Sequence, residues 1–185
     1  MTVDPHLHRY ASLDEIYSIP TFVAHTAALL AAWIQREVAR PLLIGPDSES
    51  AQWVADVAER AGAPHVVSSK VRHGDRTVEI SIPDLAHHRD HTPVLVDDII
   101  STGRTMMETI RQLESAGLRG SICIGVHAVF ADGAYEDLVT AGAARVVTCD
   151  TIPHPTNAID VVPVLAPAVQ SSLSATAFDR PESRK

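Results

Sequence analysis

Residues 94–105 constrain this chain more than any other segment. Val94-Leu95-Val96 runs directly into Asp97-Asp98, and Ile99-Ile100-Ser101-Thr102-Gly103-Arg104-Thr105 follows. A short apolar run bounded by a turn reads as a strand covered on both faces, as parallel strands are. A helical pattern then opens near Thr105. The segment predicts a buried parallel strand whose carboxyl end carries Asp97 and Asp98, feeding a loop and a helix N-terminus. Ligands of open α/β sheets bind at the carboxyl ends of strands, and the unpaired N–H groups of a helix N-terminus attract anions. Carboxylates for hydroxyls or a metal, beside amides for phosphate, point to a sugar phosphate.

The rest of the chain supplies the sheet that such a strand needs. A helix is expected from Thr21 to about Ala39, with Pro41 marking its end, and a short strand over Leu42–Ile44. Trp53, Val54, Val57 and Ala58 recur at helical spacing within 49–61, closed by Gly62. Val66 and Val67 form a strand, Lys70–Arg76 a basic excursion, and Val78, Ile80 and Ile82 alternate as in a strand with one exposed face. Met106–Leu113 reads as an amphipathic helix stopped near Gly117. It is followed by strands over Ile122–Val129 and Arg145–Thr148, with a helix over Ala134–Val139 between them. Val161–Val164 is expected as the last strand and Leu165–Leu173 as the last helix. This alternation with short connections predicts an α/β fold: an open, mostly parallel twisted sheet with helices on both faces. One domain over 1–173 is expected, with a polar, frayed tail over 174–185.

Charge and cysteine content narrow the function classes. A formal charge of −8 argues against a broad nucleic-acid footprint, which needs clustered Lys and Arg. Cys123 and Cys149 each sit inside an apolar run and read as small buried residues of a reducing compartment. The N-terminus lacks the pattern of a signal peptide. Ala27–Trp33 is too short and too closely flanked by Gln35, Arg36 and Glu37 to span a membrane. A soluble cytoplasmic domain is expected.

Outside the opening motif, few residues carry chemistry by type and spacing. Asp47, just after a strand in Gly-Pro-Asp-Ser, serves either as a helix N-cap or as a carboxylate for Mg²⁺, which prefers oxygen ligands. Lys70, Arg72 and Arg76 around Gly74 form either a solvated basic loop or a mobile loop that brings cations onto developing phosphate charge. His6 and His8 have no cysteine partners, which disfavours zinc, and His87, His88 and His91 read as a solvated face. Gly103 permits an unusual backbone angle beside the hydroxyls of Ser101, Thr102 and Thr105. Neither a Gly-x-x-x-x-Gly-Lys loop nor a Gly-x-Gly-x-x-Gly turn is present, so P-loop and dinucleotide binding are unsupported.

Val94–Thr105 resembles the phosphoribosyl pyrophosphate (PRPP) motif shared by type I phosphoribosyltransferases and ribose-phosphate pyrophosphokinases. Further segments resemble the second family. Asp4-Pro-His6 with Asp14–Pro20 looks like its Asp-Leu-His segment and the loop after it. Gly45-Pro-Asp47 looks like its Pro-Asp motif, and Lys70-Val-Arg72 like its Lys-Arg-Arg. His127-Ala-Val-Phe130 looks like its His-x-x-Phe, and Thr148–Pro153 like its Asp-Thr-Ile-Pro. The resemblance runs from about Asp4 to Val169.

This resemblance implies a type I phosphoribosyltransferase-like fold and transfer of pyrophosphate from Mg-ATP to ribose 5-phosphate, giving PRPP and AMP. It assigns His6 and Asp47 to Mg²⁺ or the nucleotide phosphates, and Lys70 and Arg72 to the pyrophosphoryl group in transfer. Asp97 and Asp98 would meet the ribose hydroxyls, while Ser101, Thr102, Gly103, Arg104 and Thr105 cradle the 5-phosphate. It also implies a homo-oligomer or association with a complementary half, since the family has two similar α/β halves and this chain matches the C-terminal one. Glu49-Ser50 replaces the family's Gly-Gly. Ser101 and Arg104 replace its loop Asp and second Gly, bringing the loop closer to that of a phosphoribosyltransferase that consumes PRPP and a base. A non-catalytic regulatory subunit is the third expectation.

Overall fold

The computed structural model describes residues 1–7, 9–46, 50–73, 77–81 and 85–178, the backbone alone for 69–73, 77–81 and 174–178. The apolar runs form a six-stranded parallel sheet. Its members are β3 (Pro41–Gly45), β4 (His65–Val67), β7 (Thr92–Ile100), β8 (Ser121–Ala128), β9 (Ala143–Cys149) and β10 (Asn157–Ile159), in the order β10-β9-β8-β7-β3-β4.

Strand periodicity sorts the core into two layers. Leu43, Val94, Val96, Ile122, Ile124 and Val126 face helices α1 (Ala27–Glu37) and α2 (Ala51–Ala61), which contribute Leu30, Ile34, Val54 and Val57. Leu42, Ile44, Leu95 and Cys123 face α3 (Arg104–Ser115) and α4 (Ala134–Thr140), through Ile110, Leu113 and Leu138. The expected doubly covered parallel sheet is therefore present.

Four boundaries differ from the sequence reading. The first helix begins at Ala27 because the residues before it are drawn into a strand: β2 (Val23–Ala24) pairs in parallel with β1 (Thr2–Val3). The basic segment is not an open excursion, since β5 (Ser69–His73) pairs antiparallel with β6 (Thr77–Ser81). The last strand is β10 at Asn157–Ile159, and α5 occupies Val162–Phe178. Asp160 Oδ1 accepts the Val162 N–H at 2.8 Å, and Pro163 falls in the first turn, where a missing N–H costs little. The expected C-terminal tail overlaps α5 as far as Phe178, and residues 179–185 lie outside those described.

Strand order positions the site. From β3 the chain moves through α2 to β4 on one side, and from β7 through α3 to β8 on the other. The two helices lie on opposite faces, so their connections diverge above the carboxyl ends of β3 and β7. Such a switch point leaves a crevice by topology alone.

Candidate functional site

A cavity of about 1250 Å³ opens at this switch point, lined by the end of β7, the start of α2 and much of the N-terminal segment from Asp4 to His25. Asp97, Asp98 and Ile99 come from the end of β7, Ser50 and Trp53 from the start of α2, and Asp4, Pro5, His6 and Leu7 from the segment after β1. The parallel register sets Asp97 opposite Gly125 and Ile99 opposite His127. A Cβ at Gly125 would lie 2.6 Å from Ile100 Cγ1, so glycine there lets the end of β7 pack down onto β8. Gly45, which ends β3, has the same kind of role, because its Cβ would lie 2.9 Å from the Ser50 hydroxyl.

Asp97 and Asp98 are half-buried. Asp97 Oδ1 accepts the Asp98 N–H at 3.1 Å. Asp98 Oδ2 accepts the Nδ1–H of His6 at 2.5 Å, a contact across 92 residues of chain. The Asp98 carboxylate fixes a proton on Nδ1, so when the ring is neutral its lone pair resides on Nε2. A histidine oriented by a carboxylate is suited to meeting a metal or a phosphate hydroxyl.

His6 stands there because the residues before it are anchored. Asp4 is buried and adopts φ +29°, a left-handed angle rare outside glycine. Its carboxylate accepts the Thr26 N–H at 2.8 Å and the Thr26 hydroxyl at 2.6 Å, which caps α1 from a distant part of the chain, and it also meets His25 Nδ1 at 2.9 Å. His127 Nε2 lies 3.0 Å from the Val3 carbonyl and 3.3 Å from the Asp4 carbonyl.

The loop expected to hold phosphate follows directly. Gly103 takes φ +65° and ends the loop where α3 begins. The Ala131 N–H donates to the Ser101 carbonyl at 3.2 Å, tying the loop to the end of β8. Ser101, Thr102 and Arg104 are exposed at the helix N-terminus, with Gly103 and Thr105 half-buried. The structure thus brings His6 against Asp98, with Asp97 beside it, and places residues 101–105 immediately after β7, outside the cavity lining. Lys70 and Arg72 sit on strand β5 instead of in a loop. Asp47 lies outside the described residues.

Three residues of the site carried no assigned role in the sequence. Asp4 is the clamp of the N-terminal segment, and its only sequence signal was its place before Pro5-His6. Trp53 reads in sequence as a core residue of α2, yet it is half-buried and lines the cavity, with its indole N–H buried and unpartnered among the described residues. His127 joins β8 to β1, a tertiary contact without local signal. Among the described residues no group of three His, Cys, Asp or Glu side chains converges to hold a metal ion.

Residues 12–164 match the family model described as the phosphoribosyl transferase domain. The chain belongs to that family. It is 32% identical over 171 residues to the ribose-phosphate pyrophosphokinase of Sulfurisphaera tokodaii, covering 91% of this chain and 57% of the relative. It is 33% identical over 159 residues to that of Methanosarcina mazei, covering 85% of this chain and 54% of the relative. The chain therefore spans a little over half the length of these relatives. The fold is similar to the crystal structure of phosphoribosylpyrophosphate synthetase from Mycobacterium smegmatis, with TM-score 0.76 and 22% identity, over 94% of this chain and 58% of that one. APRTase from Giardia lamblia is more distant, with TM-score 0.53 and 16% identity over 66% of this chain. No described helix is long and apolar enough to cross a membrane.

Proposed function

We propose that this chain is a ribose-phosphate pyrophosphokinase-like transferase acting on ribose 5-phosphate and Mg-ATP in the cytoplasm. The observation that carries this reading is the His6–Asp98 contact across the β3/β7 crevice, with Asp97 beside it and the Ser101–Thr105 turn directly after it. A sugar phosphate laid along the end of β7 has carboxylates for its hydroxyls at one end and helix N–H groups for its phosphate at the other. Relatives named ribose-phosphate pyrophosphokinase, matched over about nine-tenths of the chain, support the same substrate.

In the reaction, the C1 hydroxyl oxygen of the ribose forms a bond to the β-phosphorus of ATP. The bond from that phosphorus to the α–β bridging oxygen breaks, AMP leaves, and the hydroxyl proton is lost. Asp97 and Asp98 orient the ribose hydroxyls, and residues 101–105 hold the 5-phosphate. Lys70 and Arg72 stabilise charge on the transferring pyrophosphoryl group. Mg²⁺, held by His6 and Asp47 or through the nucleotide phosphates they meet, supplies charge neutralisation when bound. Positioning and electrostatics provide most of the acceleration in such a transfer. The chain acts as a homo-oligomer or with a complementary half, in keeping with its half-length match. AMP release from ATP, Mg²⁺ and ribose 5-phosphate is the test; ribose 5-phosphate binding without AMP reduces the claim to a binding domain, and absence of both removes it.

A second reading is favoured by the Ser101 and Arg104 substitutions in the loop and by the family match: a type I phosphoribosyltransferase that consumes PRPP and a base. Base-dependent release of pyrophosphate would establish it, and none with any common base would count against it.

A further inference from the structure

His127 reaches from the end of β8 to the carbonyls of Val3 and Asp4, residues 124 and 123 positions away. Carbonyls only accept, so Nε2 carries a proton and donates it to them. On the other side of the ring, Nδ1 lies 2.9 Å from the Thr151 hydroxyl, which is also 3.0 Å from the Val126 carbonyl. The imidazole is thereby fixed between the β9–β10 connection and the end of β1. The residue it holds, Asp4, has a strained φ of +29°. Two bonds later, after Pro5 with its fixed φ, comes His6 in contact with Asp98.

We infer that His127 is a positioning residue: its Nε2–H sets the Asp4-Pro5 turn and so places the His6 ring against Asp98 at the mouth of the cavity. His127 is not among the residues lining that cavity. It acts through the backbone of Asp4, as residues behind a metal or phosphate ligand do when they fix its orientation. Asp4's own carboxylate is already committed to Thr26 and His25, so it anchors the far side of the turn. Removing the His127 bond leaves the Asp4 carboxylate and the Asp4 N–H, which donates to the Ala24 carbonyl at 3.0 Å, as anchors on the β2 and α1 side alone, and the His6 ring shifts away from Asp98. Of the contacts assigned to the sugar phosphate, on Asp97, Asp98 and residues 101–105, only Asp98 touches this segment, through His6. The inference rests on the proposed site for its ligands, but the His6–Asp98 contact is observable without them.

The test compares His127→Ala, His127→Gln and Thr151→Val with the unaltered chain. The Nδ1–H of His6 is followed by proton NMR as a downfield resonance identified by its loss in His6→Gln, and Mn²⁺ and ribose 5-phosphate binding are measured by calorimetry. In His127→Ala the resonance is expected to disappear and Mn²⁺ affinity to fall about 10–100-fold, the effect typical of losing an outer-shell partner. Ribose 5-phosphate affinity falls by a smaller factor, because of its assigned contacts only Asp98 meets His6. Gln, whose amide N–H can donate to the same carbonyls, is expected to restore most of the resonance and affinity. Thr151→Val produces a smaller loss of the same kind. Retention of the resonance and of Mn²⁺ affinity in His127→Ala overturns the inference, as does equal weakening of both ligands, which marks general destabilisation. If His127→Ala does not fold, the Gln and Thr151→Val variants decide by the same readouts. An unaltered chain that binds neither ligand defeats the proposed function, and the resonance still decides the role of His127.

Discussion

Asp4 and Thr26 are joined by two hydrogen bonds, from the Thr26 backbone N–H at 2.8 Å and its hydroxyl at 2.6 Å, across 22 residues of chain. A helix N-terminus is usually capped by its own neighbour; here the cap arrives from the first strand and welds the cavity wall to α1. Asp4→Ala leaves those donors buried without a partner, at a cost of about 1–3 kcal/mol. Urea denaturation should show a lower midpoint with an unchanged slope, and Asp4→Asn, which keeps one acceptor, should fall between.

Trp53 lines the cavity whereas Trp33 is buried in the core, and these are the only two tryptophans in the chain. Ligand binding at the β3/β7 crevice is expected to change the intrinsic fluorescence, and Trp53→Phe to abolish that change while Trp33→Phe preserves it. A ligand-dependent signal that survives Trp53→Phe would place binding elsewhere.

Gly103 at φ +65° starts α3, and a Cβ there would lie 3.1 Å from Leu138 Cγ. The left-handed angle alone costs an L-residue about 1–2 kcal/mol. Gly103→Ala should shift the turn and weaken ribose 5-phosphate binding by about tenfold, equivalent to about 1.4 kcal/mol, as read by calorimetry.

Lys70 is assigned to charge that develops during transfer, not to the bound sugar. Lys70→Ala is expected to lower kcat by about 10²–10³, the range for removing one transition-state donor, with ribose 5-phosphate affinity unchanged. A loss confined to affinity would contradict that role.

Burial pushes the thiols of Cys123 and Cys149 up to about 12, with the nearby charges of Asp150 and Asp4 adding to the effect at Cys149. The native chain should resist a thiol-specific chromogenic reagent at neutral pH and react at both cysteines on unfolding. The folded values lie above the ordinary 9.0, so this contribution to stability is complete below that pH and declines as pH rises toward about 12. Denaturation midpoints across that window measure it.

The central strands were legible because a parallel strand covered on both faces is a continuous apolar run: β3, β7, β8 and β9 each declare themselves that way. The pairing of Asp97-Asp98 with a glycine-bearing turn marked the strand end that borders the cavity. What failed to show was whatever depends on a distant partner. Val23 and Ala24 have helix-like neighbours but form β2 because Thr2 and Val3 offer a strand edge. Lys70 and Arg72 look like loop residues by charge, and pairing with 77–81 makes their backbone a strand. The Asp160-to-Val162 bond and Pro163 were local signals for the start of α5, masked by the β-branched run around them. Trp53 packs against the core as its spacing implies and also lines the cavity, because periodicity reports which face of an element a residue occupies, not whether that face ends at an opening.

The bonds that complete the cavity wall join residues 92, 123 and 124 positions apart. Contacts of such sequence separation close large loops and form late. A chain emerging from the ribosome can assemble the β3–α2–β4 unit early, but the bonds from His127 to Val3 and Asp4 await the synthesis of β8. On the role inferred for His127, ligand capture would report completed folding, because no fragment ending before His127 contains its bonds to Val3 and Asp4.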